Sequence, residues 1–188
     1  AILPAGHFAN WAFWYSGTGS FISSTFYGPA LPDWVTQFNN EKNYMPYINK
    51  GWSLLKPASD YNESLPDDNP YEGKLYNSEK PVFPYNLKQM YDKHGAEVMR
   101  STPFGNDLLA DFAKKAIEKE ELGKDNITDF LTVSFSSTDY VGHILGPRSM
   151  ELQDTYLRLD LTIADLLDYL DKTVGKDNYL LFLTADHA

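Results

Sequence analysis

The chain has 188 residues, 43% of them hydrophobic, enough for one domain with a real core. Its net charge of -10 repels polyanions such as duplex nucleic acid, its lack of cysteine excludes disulfides and thiolate metal sites, and no apolar run reaches membrane-spanning length. A small phosphate ester stays admissible as a partner, because bound divalent ions reverse the local sign of a site built from carboxylates.

In chain order, the aromatic and β-branched residues of 8–27 flank Ser16-Gly17-Thr18-Gly19, which predicts a hairpin with glycines in the turn. Pro32-Asp33-Trp34-Val35 starts a short helix, with Asp33 as a cap or first-turn anion. From about Tyr44 to Lys93 periodicity is lost. Pro, Asn, Asp and Tyr dominate there, yet Trp52, Tyr61, Tyr71, Tyr76, Phe83 and Tyr85 give too many aromatics for a solvated linker. The expected form is an ordered, irregular excursion over the core, serving as a substrate lid or wall or simply as a stabilising insertion.

Ser101-Thr102-Pro103 predicts a helix start with a hydroxyl cap, and Leu108, Leu109, Phe112, Ala113, Ala116 and Ile117 form an amphipathic stripe that Gly123 ends. From Asp129, the apolar run DFLTVSFSS reads as a strand that stops at a loop, Thr138 to His143. Pro147 and Ser149 open the next helix. Leu152, Tyr156, Leu159, Ile163, Leu166, Leu167 and Leu170 lie on one face of it, and Lys172 and Gly175 close it. NYLLFLTADH then reads as a second strand, ending at Asp186-His187.

The result is a βαβ unit with two buried parallel strands. The fold class expected is α/β, a parallel or mixed sheet with helices on both faces, incomplete in this chain. Residues 28–100 form the irregular excursion, and 101–188 a helix-strand-helix-strand core. The chain lacks an initiator Met, opens on strand-like Ala1-Ile2-Leu3 and ends beside a strand terminus, the pattern of a central piece of a larger protein.

Ligands collect at the carboxyl ends of parallel strands, where both Asp/His pairs lie: Asp139 with His143, and Asp186 with His187. Carboxylate oxygen and imidazole nitrogen are both good zinc ligands. Taken singly, an Asp at a strand end caps a turn and a His hydrogen-bonds within a wall. Two such pairs at one end of a βαβ unit favour a metal site, with room for two ions about 3.5–4 Å apart that clamp a displacement at phosphorus. Thr102 reads as a cap, His7 as a structural loop residue and His94 as an exposed turn residue.

The words Ser136-Ser137-Thr138-Asp139-Tyr140-Val141-Gly142-His143, Gly146-Pro147, Tyr156-Leu157-Arg158-Leu159-Asp160 and Phe182-Leu183-Thr184-Ala185-Asp186-His187 together resemble the alkaline phosphatase superfamily. The resemblance is nearest to bacterial phosphate-irrepressible alkaline phosphatases and the type I phosphodiesterase/nucleotide pyrophosphatases. It also takes in Pro4-Ala5-Gly6-His7, Ile22-Ser23-Ser24-Thr25, Pro32-Asp33-Trp34-Val35 and Arg100 to Asn106, and so runs along essentially the whole chain.

It implies two Zn2+ in the parent protein, one held by Asp139 and His143, the other by Asp186 and His187. It further implies hydrolysis of small-molecule phosphate monoesters through a phosphorylated Thr or Ser upstream of this chain. One more Asp ligand upstream, a third His downstream and a Lys-x-Arg grip before Ala1 complete the pattern, and no substitutes for them occur here. The isolated chain is therefore expected to be inactive, with partial or no metal occupancy. A periplasmic or secreted location is implied by the same resemblance. Where the family has Gly after Asp-His, this sequence has Ala188.

Three other readings remain open from the sequence: a phosphodiesterase or nucleotide pyrophosphatase, a non-catalytic binding domain that retains the fold, and a serine hydrolase using Ser136 or Ser137. The last lacks a Gly-x-Ser-x-Gly elbow.

Overall fold

The structure, a computed structural model, describes residues 6–185 and 187, with no side chain for Asn77. The hairpin forms where the sequence places it, as strands β1 (Trp14–Tyr15) and β2 (Phe21–Ile22) paired antiparallel, with the Ser16 N–H donating to the Ser20 carbonyl across the turn. Helix α1 (Asp33–Glu41) follows Pro32, with Asp33 in its first turn but making no side-chain cap. Its Asn39 amide closes both backbone groups of Phe21: Oδ1 accepts from the Phe21 N–H at 2.7 Å and Nδ2 donates to the carbonyl at 2.9 Å. An exposed strand edge is thereby satisfied by a neighbouring helix.

The stretch read as irregular carries two more helices, α2 (Met45–Lys50) and α3 (Leu87–His94), the latter capped by Asn86, whose side chain accepts from the Gln89 N–H. Between them, Trp52 and Tyr85 exchange both backbone hydrogen bonds, at 3.0 and 2.8 Å. Of the aromatics that argued against a linker, Trp52, Tyr61 and Tyr85 are buried and Tyr76 and Phe83 pack half-buried against the core, while Tyr71 is 92% exposed; Leu75 and Leu87 are buried with Val35, Ile48, Met99, Phe104 and Leu108. Helix α4 (Phe104–Lys119) runs through this core, and its Phe112 stacks on Phe21 of the hairpin with ring centres 3.8 Å apart.

Thr102 does not cap α4. Its hydroxyl donates to the Met99 carbonyl within a 3-10 turn over Gly95–Ser101, and α4 begins after Pro103 instead. His94 is exposed, as expected, at the end of α3, and His7 stands exposed with its ring edge-on to Phe26.

Two further expectations are corrected, on the loop and on the sheet. The loop Thr138–His143 is part of a nine-residue helix, α5 (Ser137–Leu145), because the four-residue spacing of Asp139 and His143 is also one helical turn and Gly142 is tolerated within it. The expected parallel sheet is not formed among the described residues, where β1–β2 is the only sheet. Residues 128–135 and 179–185 join no ladder among the described residues, and their apolar side chains stand open: Phe130 is 74% exposed, Leu180 88% and Leu183 76%. A strand is held by its ladder, so a run with the composition of a buried strand but no neighbour takes no strand geometry.

The long helix α6 (Met150–Leu170) forms as expected, with the Ser149 Oγ accepting from the Leu152 N–H and a π turn, Asp171–Gly175, closing it. Its buried side is the predicted one only in part, with Leu166 of the apolar stripe buried and Leu152 packed against the core. Glu151, Asp154, Thr155 and Thr162 face inward, whereas Tyr156 of the apolar stripe is 58% exposed and Leu152, Leu159 and Ile163 are half-buried.

Candidate metal centre

Helix α5 sits at the N-terminal end of both α4 and α6. Its Val141 and Leu145 are fully buried in the common core, which turns Asp139 and His143 outward together. An acidic residue in its first turn and a His in its last each match the sign of the nearer end of the helix dipole. The residues 63–73 cover its C-terminal side. The Leu65 N–H donates to the Arg148 carbonyl at 2.8 Å, and Gly73 presses so closely on the Ile144 carbonyl that a β-carbon there would lie 1.8 Å from the oxygen. This part of the excursion therefore borders the helix that carries His143.

The decisive geometry is at Asp139. Its Oδ1 lies 3.2 Å from the Nε2 of His143, one turn along the same helix, and 3.2 Å from the Nε2 of His187, beyond the whole of α6. The two segment ends do converge on one carboxylate. All three side chains are solvent-accessible, His143 at 76%, so an ion or a small substrate can reach them. Asp186 lies outside the described residues. Among those described, no three His, Cys, Asp or Glu side chains form a finished metal-ligand set. Carboxylate oxygen and imidazole nitrogen are both donor types that zinc takes.

A model of the type I phosphodiesterase / nucleotide pyrophosphatase family matches residues 2–188. The chain belongs to this family. It is 52% identical over 189 residues to a Myroides odoratus protein named calcium-transporting ATPase, aligning 99% of this chain with 34% of that one. It is 53% identical over 188 residues to alkaline phosphatase PhoV of Synechococcus elongatus, aligning 100% of this chain with 34% of that protein. The crystal structure of wild-type alkaline phosphatase PafA superposes with a TM-score of 0.91 at 48% identity, over 95% of this chain and 35% of that one. Membership of the alkaline phosphatase superfamily follows, and the chain spans about a third of the length of these relatives. No helix among the described residues is long and apolar enough to cross a membrane.

Several residues around the centre have no marker in the sequence. Asp154 is completely buried on α6 and accepts from Trp52 Nε1 at 2.7 Å, the Leu55 N–H at 2.8 Å, Tyr61 OH and Arg158 Nε at 2.6 Å, so it pins the start of the excursion to the helix following the site. One turn before, Glu151 accepts from Tyr85 OH, while its Oε2 and both oxygens of Glu72 are buried with no partner among the described residues. Burial first, then the charges of neighbouring Asp67 and Asp154, push Glu151 up to about 7, even though the Tyr85 hydroxyl lowers it. Burial, then the charges of Glu151, Asp67 and Asp68, likewise push Glu72 up to about 7. Only the tertiary fold brings these acids together. The sequence signal they leave, an acidic residue at a helix start, is shared with ordinary dipole partners.

Proposed function

We propose that this chain supplies part of the two-zinc site of a phosphate monoester hydrolase, an alkaline phosphatase acting on small-molecule esters in the periplasm or outside the cell. The observation that carries the reading is the meeting of His143 and His187 on Asp139, in a chain that the family model matches from residue 2 to residue 188. Asp139 and His143 would hold one ion, and Asp186 and His187 the other. Zinc, when bound there, lowers the pKa of an attacking oxygen and offsets the charge that builds on the phosphoryl group.

The residues of this chain have a narrower task. Asp139 and His143 present an oxygen and a nitrogen from one rigid helical turn, and His187 approaches from a separate segment. Misplacement of either element by 1 Å would uncouple the two halves. The nucleophile, on this reading a Thr or Ser made into a phosphoenzyme, belongs to residues outside this chain.

The diester reading is favoured by one observation, the phosphodiesterase and nucleotide pyrophosphatase character of the matching family model. The two are separated by comparing the zinc-loaded full-length protein on an aryl phosphate monoester and the matching diester. A monoester preference is expected. A diester preference would move the substrate class while retaining the ligands, and failure on both esters would leave a binding domain on the same scaffold.

A further inference from the structure

Helix α5 carries no cap of its own. Ser136, the residue before it, already has helical backbone angles, and its side chain bonds none of the first-turn N–H groups. The segment leading into it, residues 128–135, joins no ladder among the described residues. A free helix start of this kind leaves donors unsatisfied and lets the first turn fray.

The missing acceptor comes from α4. Asn106, 1% exposed, receives the Ser137 N–H on its Oδ1 at 3.2 Å, and its Nδ2 lies 3.5 Å from the Thr138 Oγ1. Both partners immediately precede Asp139. The approach is possible because residue 105 is glycine: a β-carbon there would stand 2.3 Å from Ser137 Oγ and 2.6 Å from the Met99 carbonyl oxygen.

We propose that Asn106 is a positioning residue for the centre, an N-cap delivered from a different helix that fixes the rotation and axial register of α5 and hence the places of Asp139 and His143. The inference rests on the metal reading given above. A side chain with an acceptor and a donor on one rigid plane suits the task, since it holds a backbone N–H and a hydroxyl of consecutive residues at once. Groups that orient ligands in this way influence metal affinity although they never touch the ion.

The test uses the full-length protein with Asn106→Ala and Asn106→Asp, the second retaining an oxygen for the Ser137 N–H. Zinc affinity is read by competition with a chelator, amide exchange of 137–145 is read on the metal-free protein, and kcat and KM are measured at limiting and saturating zinc. Asn106→Ala is expected to weaken zinc binding about 10–100-fold. It should raise exchange of the first-turn amides about tenfold and lose activity that added zinc largely restores, with KM little changed. Asn106→Asp should lie closer to wild type on each readout. Unchanged zinc affinity alongside a lowered Tm would reduce Asn106 to a packing role and overturn the proposal, as would equal behaviour of the Ala and Asp variants. If Asn106→Ala does not fold, Thr138→Val, which removes the Asn106 Nδ2 contact together with the Thr138 hydroxyl's bond to the Phe135 carbonyl at 3.3 Å, must still weaken zinc binding, and unchanged zinc affinity overturns the proposal as well. Asp139→Ala that still binds zinc and turns over substrate would instead sink the metal reading itself.

Discussion

Asp139 Oδ1 and His187 Nε2 lie 3.2 Å apart although all of α6 stands between them in the chain. A helix of that length carries the backbone about 30 Å away. Residues 176–187 span the return, and twelve residues can reach about 40 Å, enough to cover it. The contact therefore depends on the rigidity of two elements, α5 and α6, and on their common packing against α4.

Gly105 is one point of close packing between α4 and α5. Gly105→Ala sets a methyl against a backbone carbonyl and against Ser137 Oγ, so one helix must shift. A loss of about 1–3 kcal/mol is expected from overpacking of this kind. Urea unfolding of the full-length protein checks the cost, and zinc titration should show weakened binding, because the displaced element is α5.

Asp154 holds four donors while completely buried. Replacing it by Ala leaves the Trp52 and Tyr61 donors without this acceptor and the Arg158 guanidinium with only the Ser53 carbonyl, with an expected cost of about 3–5 kcal/mol. Trp52 lies in the core, so its fluorescence should report the loosening during equilibrium unfolding. A change under about 1 kcal/mol would mean that other groups take over these donors.

The helix α6 shows how far the sequence could be read. Its length, the Ser149 cap and the closing glycine were legible, because caps and periodicity are local. The side it buries was legible only in part, because the apolar stripe of Leu152, Tyr156, Leu159 and Ile163 stays partly open while Glu151, Asp154 and Thr155 are enclosed by the excursion. The same limit applies at the centre. The Asp/His words marked Asp139, His143 and His187, and the structure brings these three together, but a spacing of four fits a loop and a helical turn equally well. Asn106 could not be found at all, since its partners lie on another helix.

Glu151 makes the stability pH-dependent. An acid whose folded pKa is raised takes up its proton more readily when folded than when unfolded. Stability is then greatest below its ordinary value of 4.5 and declines as pH rises towards about 7. Glu151→Gln keeps an acceptor for Tyr85 OH but removes the buried charge. It should stabilise the protein at pH 8 by on the order of 1 kcal/mol and flatten the decline between pH 4.5 and 7. Denaturant unfolding at a series of pH values checks this, and an unchanged slope would show that Glu151 is not the group responsible.

Phe130, Leu131 and Leu180 to Leu183 present exposed apolar runs with no ladder partner among the described residues. The 188-residue chain prepared by itself should therefore associate as concentration rises, through strand pairing or apolar burial at these segments. Size-exclusion chromatography over a concentration series should show the shift, and Phe130→Asp with Leu181→Asp should reverse it. A chain that stays monomeric at all concentrations would indicate that the two runs cover one another in solution.

On the proposed function, Asp139 helps to hold zinc in a protein that hydrolyses phosphate esters. The most direct measurement is the zinc content and aryl phosphate hydrolysis of the full-length protein beside its Asp139→Ala variant. Loss of bound zinc and a fall in kcat/KM of at least about a thousandfold, about 4 kcal/mol of transition-state stabilisation, is the expected result. A variant that keeps its zinc and works within tenfold of wild type would contradict the account.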